Sequence, residues 1–259
     1  AALRPAPRSG HNRRDMIEDY SIEPDVKPRS TGTQRALYGR RKGRPLRPHR
    51  QRLVDRLLPA IEIALSPDRE PLDPQALFGV AIDDVWLEIG FGAGEHLAWQ
   101  ARENRHLGII GCEPYLNGVA RLLSDIDTDE LENVRLYRDD ARMLLERLPE
   151  ASISRAFVLF PDPWPKSRHN KRRIIGPATM PHLARLLRDG AELRVATDDF
   201  TYKGWILEHV LGSGYFQWTA RCPSDWRDRP ADWPPTRYEA KALRQGRRGT
   251  FMRFLRNPR

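Results

Sequence analysis

Val85-Trp86-Leu87-Glu88-Ile89 runs straight into Gly90-Phe91-Gly92-Ala93-Gly94, and a helical pattern follows over residues 95–104. A short apolar run that ends in a glycine turn and reopens as a helix is the first half of a βαβ unit. Glycine at alternate positions lets the chain turn tightly and brings a ligand against bare main chain at a helix N-terminus. Downstream, candidate strands at 107–112 (LGIIGC), 134–137 (VRLY), 156–160 (AFVLF) and 192–196 (ELRVA) alternate with helical stretches near 116–125, 141–148, 178–188 and 200–211. That alternation predicts a mainly parallel sheet. Two last strand candidates, 215–220 and 250–255, have only a Trp/Pro-rich loop between them and read as an antiparallel edge. The order of the strands does not follow from the pattern.

Upstream of the glycine turn, Leu53, Leu57, Leu58, Ile61 and Leu65 recur at helical spacing from about Pro48 onward. The stretch 68–75, with Pro67 before it and Pro71 and Pro74 inside it, reads as a linker. Residues 1–45 are rich in Pro, Gly, Ser and Arg and are expected to form a basic, disordered arm. Residues 46–259 then form one domain, with a first half at about 80–150 and loops at about 160–176 and 221–249.

The formal net charge is +9, and its location matters more than its size. Between Asp25 and Asp55 stand ten Lys/Arg residues and no acid (Lys27, Arg29, Arg35, Arg40, Arg41, Lys42, Arg44, Arg47, Arg50 and Arg52). The rest of the chain is near neutral. Such a block is either a solvated tail or an arm that grips phosphates by counterion release. No apolar run reaches the ~20 residues of a membrane span, and Ala1 to Gly10 carries no apolar signal stretch, so a cytoplasmic protein is expected. Cys112 and Cys222 make neither a disulfide framework nor a zinc cluster, and the seven histidines show no ligand spacing, so no metal is assigned.

Four acids lie at or just after strand ends. Glu88 sits just before the glycine turn, where a carboxylate suits a cationic ligand. Glu113 closes the second strand, placed to accept from both hydroxyls of a ribose. After the third strand comes Arg138-Asp139-Asp140-Ala141: Asp139 reads as a helix N-cap, and Asp140 as a group reaching an adenine. The fourth strand opens into Phe160-Pro161-Asp162-Pro163-Trp164-Pro165-Lys166, followed by Ser167-Arg168-His169-Asn170-Lys171-Arg172-Arg173. Three prolines in five residues fix φ and hold their predecessors extended. Asp162 is thereby set on a stiff loop at the carboxyl edge of the sheet, where open α/β folds bind ligands. Trp164 adds an aromatic face and the basic run can meet phosphates, a combination suited to a base on a polyanion.

Six blocks, in order, carry a resemblance: LEIGFGAG (87–94), GCEP (111–114), RDDA (138–141), FPDPWPKSRHNKRRI (160–174), ATD (196–198) and TRYE (236–239). With them the chain resembles the bacterial tRNA (guanine-N7-)-methyltransferases from about residue 36 to the C-terminus. The resemblance implies a Rossmann-like Class I methyltransferase: an α/β fold with a mainly parallel seven-stranded sheet, an antiparallel edge and helices on both faces. It implies transfer of a methyl group from S-adenosylmethionine to guanosine 46 in the tRNA variable loop. Glu88, Gly90, Gly92, Glu113 and Asp140 are then the cofactor residues. Asp162 is the catalytic residue and touches the cofactor too. Lys166, Asp198, Thr236, Arg237, Tyr238 and Glu239 contact the tRNA. The residues alone leave three alternatives open: a dinucleotide dehydrogenase, which shares the early strands and Glu113; a methyltransferase acting on another atom; and a non-catalytic RNA-binding module.

Overall fold

The computed structural model describes residues 38–259. Seven strands form one sheet: β1 (Asp84–Ile89), β2 (Leu107–Cys112), β3 (Val134–Tyr137), β4 (Ile153–Leu159), β5 (Leu187–Thr197), β6 (Phe216–Trp218) and β7 (Thr250–Arg256). Their order is β3-β2-β1-β4-β5-β7-β6. The pairs β1–β2, β1–β4, β2–β3 and β4–β5 are parallel, while β7 runs antiparallel to both β5 and β6. The sequence pairs the last two strands correctly, and the register inserts β7 between β5 and β6. The chain order reverses at β1/β4, and a crevice opens there beyond the carboxyl ends of the strands.

Nine α-helices are described: α1 (Pro48–Arg56), α2 (Leu58–Ile61), α3 (Glu95–Glu103), α4 (Leu116–Asp129), α5 (Ala141–Leu145), α6 (Met180–Leu186), α7 (Phe200–Gly212), α8 (Ser224–Arg227) and α9 (Arg237–Arg244). They cover both faces of the sheet. Leu53 of α1, Leu97 of α3 and Leu122 and Ile126 of α4 pack with Trp86, Ile109, Leu136 and Phe157 on one side. Leu144 of α5, Leu183 of α6 and Ile206 and Val210 of α7 pack with Leu87, Ile110, Val158 and Val195 on the other. β2 is buried at all six positions, as a strand covered on both faces must be, and hence reads as an unbroken apolar run.

Three boundaries differ from the sequence reading for identifiable reasons. The first helical stretch breaks at Leu57, because Pro59 has no N–H to continue the ladder, and Ile63 N then donates to Leu136 O at 2.7 Å. β5 begins five residues early, since Leu187 pairs with Ile153 across a bulge before the regular register resumes at Glu192. Residues 38–45, placed in the arm by composition, include a segment docked on α4: Arg41 O accepts from Leu116 N at 2.9 Å, and Asn117 bonds Gly43 N and Arg44 O, each at 2.8 Å. The remainder of the arm, including Lys27, Arg29 and Arg35, lies outside the described residues. No described helix is long and apolar enough to cross a membrane.

Candidate active site

A pocket of about 460 Å³ opens at the carboxyl ends of β1, β2 and β4. Its floor is the glycine turn. Gly90 and Gly92 have φ of 76° and 58°, a left-handed region that costs other L residues about 1–2 kcal/mol. Gly118 of α4 packs so closely that a Cβ there would come within 2.1 Å of Gly92 O. The turn is therefore a thin wall of main chain pressed between the pocket and α4.

Six carboxylates line the pocket: Glu88, Glu95, Glu113, Asp139, Asp140 and Asp162. Glu88 is 2% exposed, and its Oε2 accepts from His96 Nδ1 at 2.7 Å. Gln100 Nε2 lies 3.1 Å from His96 Nε2 and donates to Asp232 O at 2.9 Å. An amide nitrogen can only donate, which makes Nε2 the acceptor and puts the imidazole proton on Nδ1, where it is donated to Glu88. The Glu113 carboxylate accepts from Gly92 N at 2.8 Å through one oxygen and from Tyr115 N at 2.9 Å through the other. Each oxygen keeps a further lone pair. Burial raises the Glu113 carboxyl above its ordinary value, the two backbone N–H groups pull it back in part, and the Asp162 charge adds to the rise.

Asp140, not Asp139, is the N-cap of α5: its side chain accepts from Arg142 N at 3.0 Å and pairs with the Arg142 guanidinium at 3.2 Å. Asp139 instead pairs with Arg41 at 2.8 Å. The sequence reading had the cap one residue early. Both acids still line the pocket, Asp140 buried and Asp139 partly open.

The proline-rich loop departs from the extended form expected of residues that precede proline: φ is 49° at Phe160 and 43° at Trp164, left-handed conformations that cost about 1–3 kcal/mol each outside glycine. Buried Arg173 holds it: Nε donates to Pro163 O at 2.8 Å while the guanidinium lies over Trp205 at 4.7 Å and Tyr202 at 5.1 Å. Arg142 Nη2 donates to Arg172 O and Arg173 O at 3.0 and 3.1 Å. The loop is thus tied to the Asp140 end of the pocket. Asp162 is open to the pocket space but enclosed by its walls, and this partial desolvation pushes its carboxyl up. At the rim, Arg172 lies over both Tyr38 (4.7 Å) and Trp164 (4.9 Å).

Of the residues assigned to tRNA, Thr236 and Tyr238 reach the pocket. Thr236 caps α9 by accepting from Glu239 N at 3.2 Å, and the Tyr238 ring covers Gly92. Desolvation raises the Tyr238 phenol, and the Glu113 and Asp162 charges raise it further. The other four stand outside the pocket lining. Lys166 is exposed, Asp198 pairs with Arg247 at 3.3 Å, Glu239 lies 3.6 Å from Arg229, and Arg237 pairs with Glu95.

A family model described as "Putative methyltransferase" matches residues 83–252. The tRNA (guanine-N(7)-)-methyltransferase of Rhodospirillum rubrum is 53% identical over 225 residues, covering 86% of this chain and 88% of that protein. The protein of that name from Agrobacterium fabrum is 46% identical over 231 residues, covering 88% of this chain and 97% of the other. This chain belongs to the tRNA (guanine-N(7)-)-methyltransferase family. Among solved structures, an rRNA methylase from Streptococcus thermophilus aligns with a TM-score of 0.47 and 15% identity over 69% of this chain and 89% of that one.

Within this member of the family, sequence reasoning missed His96, Arg142 and Arg172. All three line the pocket and hold its parts in place. His96 and Arg142 each sit one helical turn or less after a recognised motif, which is the one signal that could have found them. The place of Arg172 depends on the path of the loop.

Proposed function

We propose that this family member transfers a methyl group from S-adenosylmethionine to N7 of a tRNA guanosine, guanosine 46 of the variable loop, in the cytoplasm. The observation that carries this reading is a single pocket that combines a carboxylate-lined cradle of bare backbone with an aspartate on a proline-locked loop. The residues present fit the cofactor. No atom lies within 4 Å of a Cβ placed on Gly90, so open space borders the main chain there. Carboxylates outnumber guanidinium groups in the lining six to three, which favours a ligand carrying a sulfonium and an ammonium. When bound, S-adenosylmethionine supplies a methyl group activated by positive sulfur.

Glu88, locked by His96, faces the cationic end. Glu113 uses its remaining lone pairs for the ribose hydroxyls, and Asp140 borders the adenine. Guanine N7 has a lone pair and no proton, so no residue has to act as a base, and positioning and electrostatics dominate. Asp162 holds the purine in register and stabilises the positive charge that develops on it. Thr236 and Tyr238 close the base side of the pocket, while Lys166, Asp198, Arg237 and Glu239 meet the RNA around its mouth.

Incubation with methyl-labelled S-adenosylmethionine and unmodified tRNA tests the reading. The expected product is 7-methylguanosine at position 46, identified by nuclease digestion and mass spectrometry. Label on an exocyclic amine or on another nucleotide would reassign the reaction; absence of label from RNA would remove it.

A further inference from the structure

Behind the glycine turn lies a second, smaller cleft of about 210 Å³, and its chemistry is the reverse of the first. Its charged lining is Arg50 of α1, Arg121 of α4 and Arg237 at the start of α9, with no carboxylate. The two clefts share Gly92, Ala93, Tyr115 and Tyr238, so the wall between them is one turn of main chain and two rings. Two of the arginines, and the helix that carries the third, are held in place. Asn117 spends its amide on Gly43 N and Arg44 O, which fixes the approach to α1, and Leu53 anchors α1 in the core. Carboxylates stand behind two of them: Asp125 pairs with Arg121 Nη2 at 3.3 Å, and Glu95 pairs with Arg237. Arg121 Nε is buried without a hydrogen-bond partner, and Arg50 makes no ion pair among the described residues.

We infer that this cleft binds a backbone phosphodiester of the RNA whose base occupies the main pocket. Guanidinium groups present several N–H donors in a plane and suit phosphate oxygens. Three of them around a small, acid-free cleft select an anion, and the shared wall sets that anion beside the nucleotide being modified. The inference rests on tRNA being the substrate. It adds Arg50 and Arg121 to the residues that recognise it.

The test measures binding of unmodified tRNA by fluorescence anisotropy across a salt series. It uses the parent, an R50Q/R121Q double variant, and R188Q, whose arginine pairs with Asp84 at the opposite end of the sheet. The double variant should bind about tenfold more weakly near 0.1 M salt, and its log–log salt slope should flatten by roughly one to two units. R188Q should change affinity less than about twofold. S-adenosylmethionine affinity, read by calorimetry, should be unchanged in all three, which also shows that each has folded. R121K should restore much of the slope, because a point charge remains. A parent that binds tRNA with a variant of equal affinity and slope overturns the cleft alone; a parent that does not bind tRNA removes the proposed function and the cleft with it. Equal weakening in R188Q would mean a general charge effect and would overturn the assignment. A calorimetric titration with inorganic phosphate separates the remaining source: phosphate binding lost in the double variant, with tRNA affinity intact, would make this a free-anion site and overturn it too.

Discussion

The two clefts on either side of residues 92–93 differ in almost every respect except the wall they share. One is about 460 Å³ and lined by six carboxylates against three arginines; the other is about 210 Å³ and lined by three arginines and no carboxylate. Merged into one cavity, they would set six carboxylates against six arginines, with no excess of either sign. Sorting them across a backbone wall keeps one side suited to a cation and the other to a polyanion. The wall can be that thin only because Gly92 takes a left-handed φ of 58° and Gly118 lets α4 approach to contact. Charge separation here is a consequence of where the chain dispenses with side chains.

The largest effect that could break this contrast belongs to Asp162. Asp162→Ala should leave the fold and cofactor binding largely intact and lower the single-turnover methylation rate by about two to three orders of magnitude, the scale of losing one preorganised electrostatic group. Asp162→Asn keeps the shape without the charge. If the acid-lined side works by charge, Asn will be almost as poor as Ala. The parent's pH profile follows from the direction of its shift. Enclosure raises the carboxyl, so the proton stays on to a higher pH than on a solvated aspartate. The rate should therefore be flat above that raised value and fall as pH drops through it, and the Asn variant should lack that limb. A rate that climbs log-linearly through neutral pH would indicate proton removal and end this account.

A second test acts on the ion-pair network that reaches the acid pocket through Gln100 and His96. Glu192 accepts from Arg194 at 2.8 Å and pairs with Arg155 at 3.0 Å and with Arg253; Arg194 in turn bonds Asp232 at 2.8 Å, whose carbonyl receives Gln100. Glu192→Gln would leave three guanidinium groups, one of them fully buried, with Asp232 as the carboxylate paired to Arg194 and Arg155 and none among the described residues paired to Arg253. It should cost about 3 kcal/mol in urea unfolding at pH 7. Burial pushes the Glu192 carboxyl up, but the Arg253 hydrogen bond and the Arg194 and Arg155 charges outweigh it, and the net shift is down. A depressed folded-state value means that this stabilisation is fully present above the ordinary value of 4.5 and is lost as pH falls through the lower folded one. The gap between parent and variant should close on acidification. At neutral pH both ligands should weaken together, whereas a change inside either cleft affects one.

The contrast between the clefts also marks what could be read from sequence. The acid-lined side was legible, because Glu88, Gly90, Gly92, Glu113, Asp140 and Asp162 each sit at the end of a strand, and alternating βα units bring strand ends to one edge. The arginine cleft was not. Arg50, Arg121 and Arg237 come from three helices whose mutual placement depends on how α1 docks on α4 and where α9 returns, and no local pattern encodes either. The helical pattern did place Arg50 in a helix, but composition left residues 38–45 in the arm, although Asn117 fixes that segment and with it the approach to α1. The Asp139/Asp140 cap was misjudged because adjacent acids have equal cap propensity, and only the backbone turn decides between them.

Glu113 gives a smaller, one-sided effect. Glu113→Ala should weaken S-adenosylmethionine binding by about 1.5–3 kcal/mol, roughly tenfold or more, with tRNA affinity unchanged. The structure sharpens this, because the same carboxylate also receives Gly92 N and Tyr115 N. Glu113→Gln has one oxygen rather than two to offer and should fall between parent and Ala. Equal cofactor affinity in Ala and parent by calorimetry would remove Glu113 from the site.

The smallest predicted effect is the most discriminating, because its two parts have opposite signs. Glu95 stands in the wall: it lines the acid pocket, and it pairs with Arg237, which lines the other cleft. Glu95→Gln keeps an oxygen to accept from Arg237 N, now 2.7 Å from Glu95 Oε2, and removes only the charge. The pair is partly solvated, Arg237 being 65% exposed, so stability should fall by no more than about 0.2–1 kcal/mol. The acid pocket loses one negative charge, and cofactor affinity should drop about two- to threefold. The arginine cleft gains an uncompensated guanidinium, and tRNA affinity should rise by about the same factor at low salt, with a slope steeper by less than one unit. Calorimetry for one ligand and anisotropy for the other read the two shifts separately. If they move in the same direction, the wall does not separate the charges, and the two clefts act as a single site.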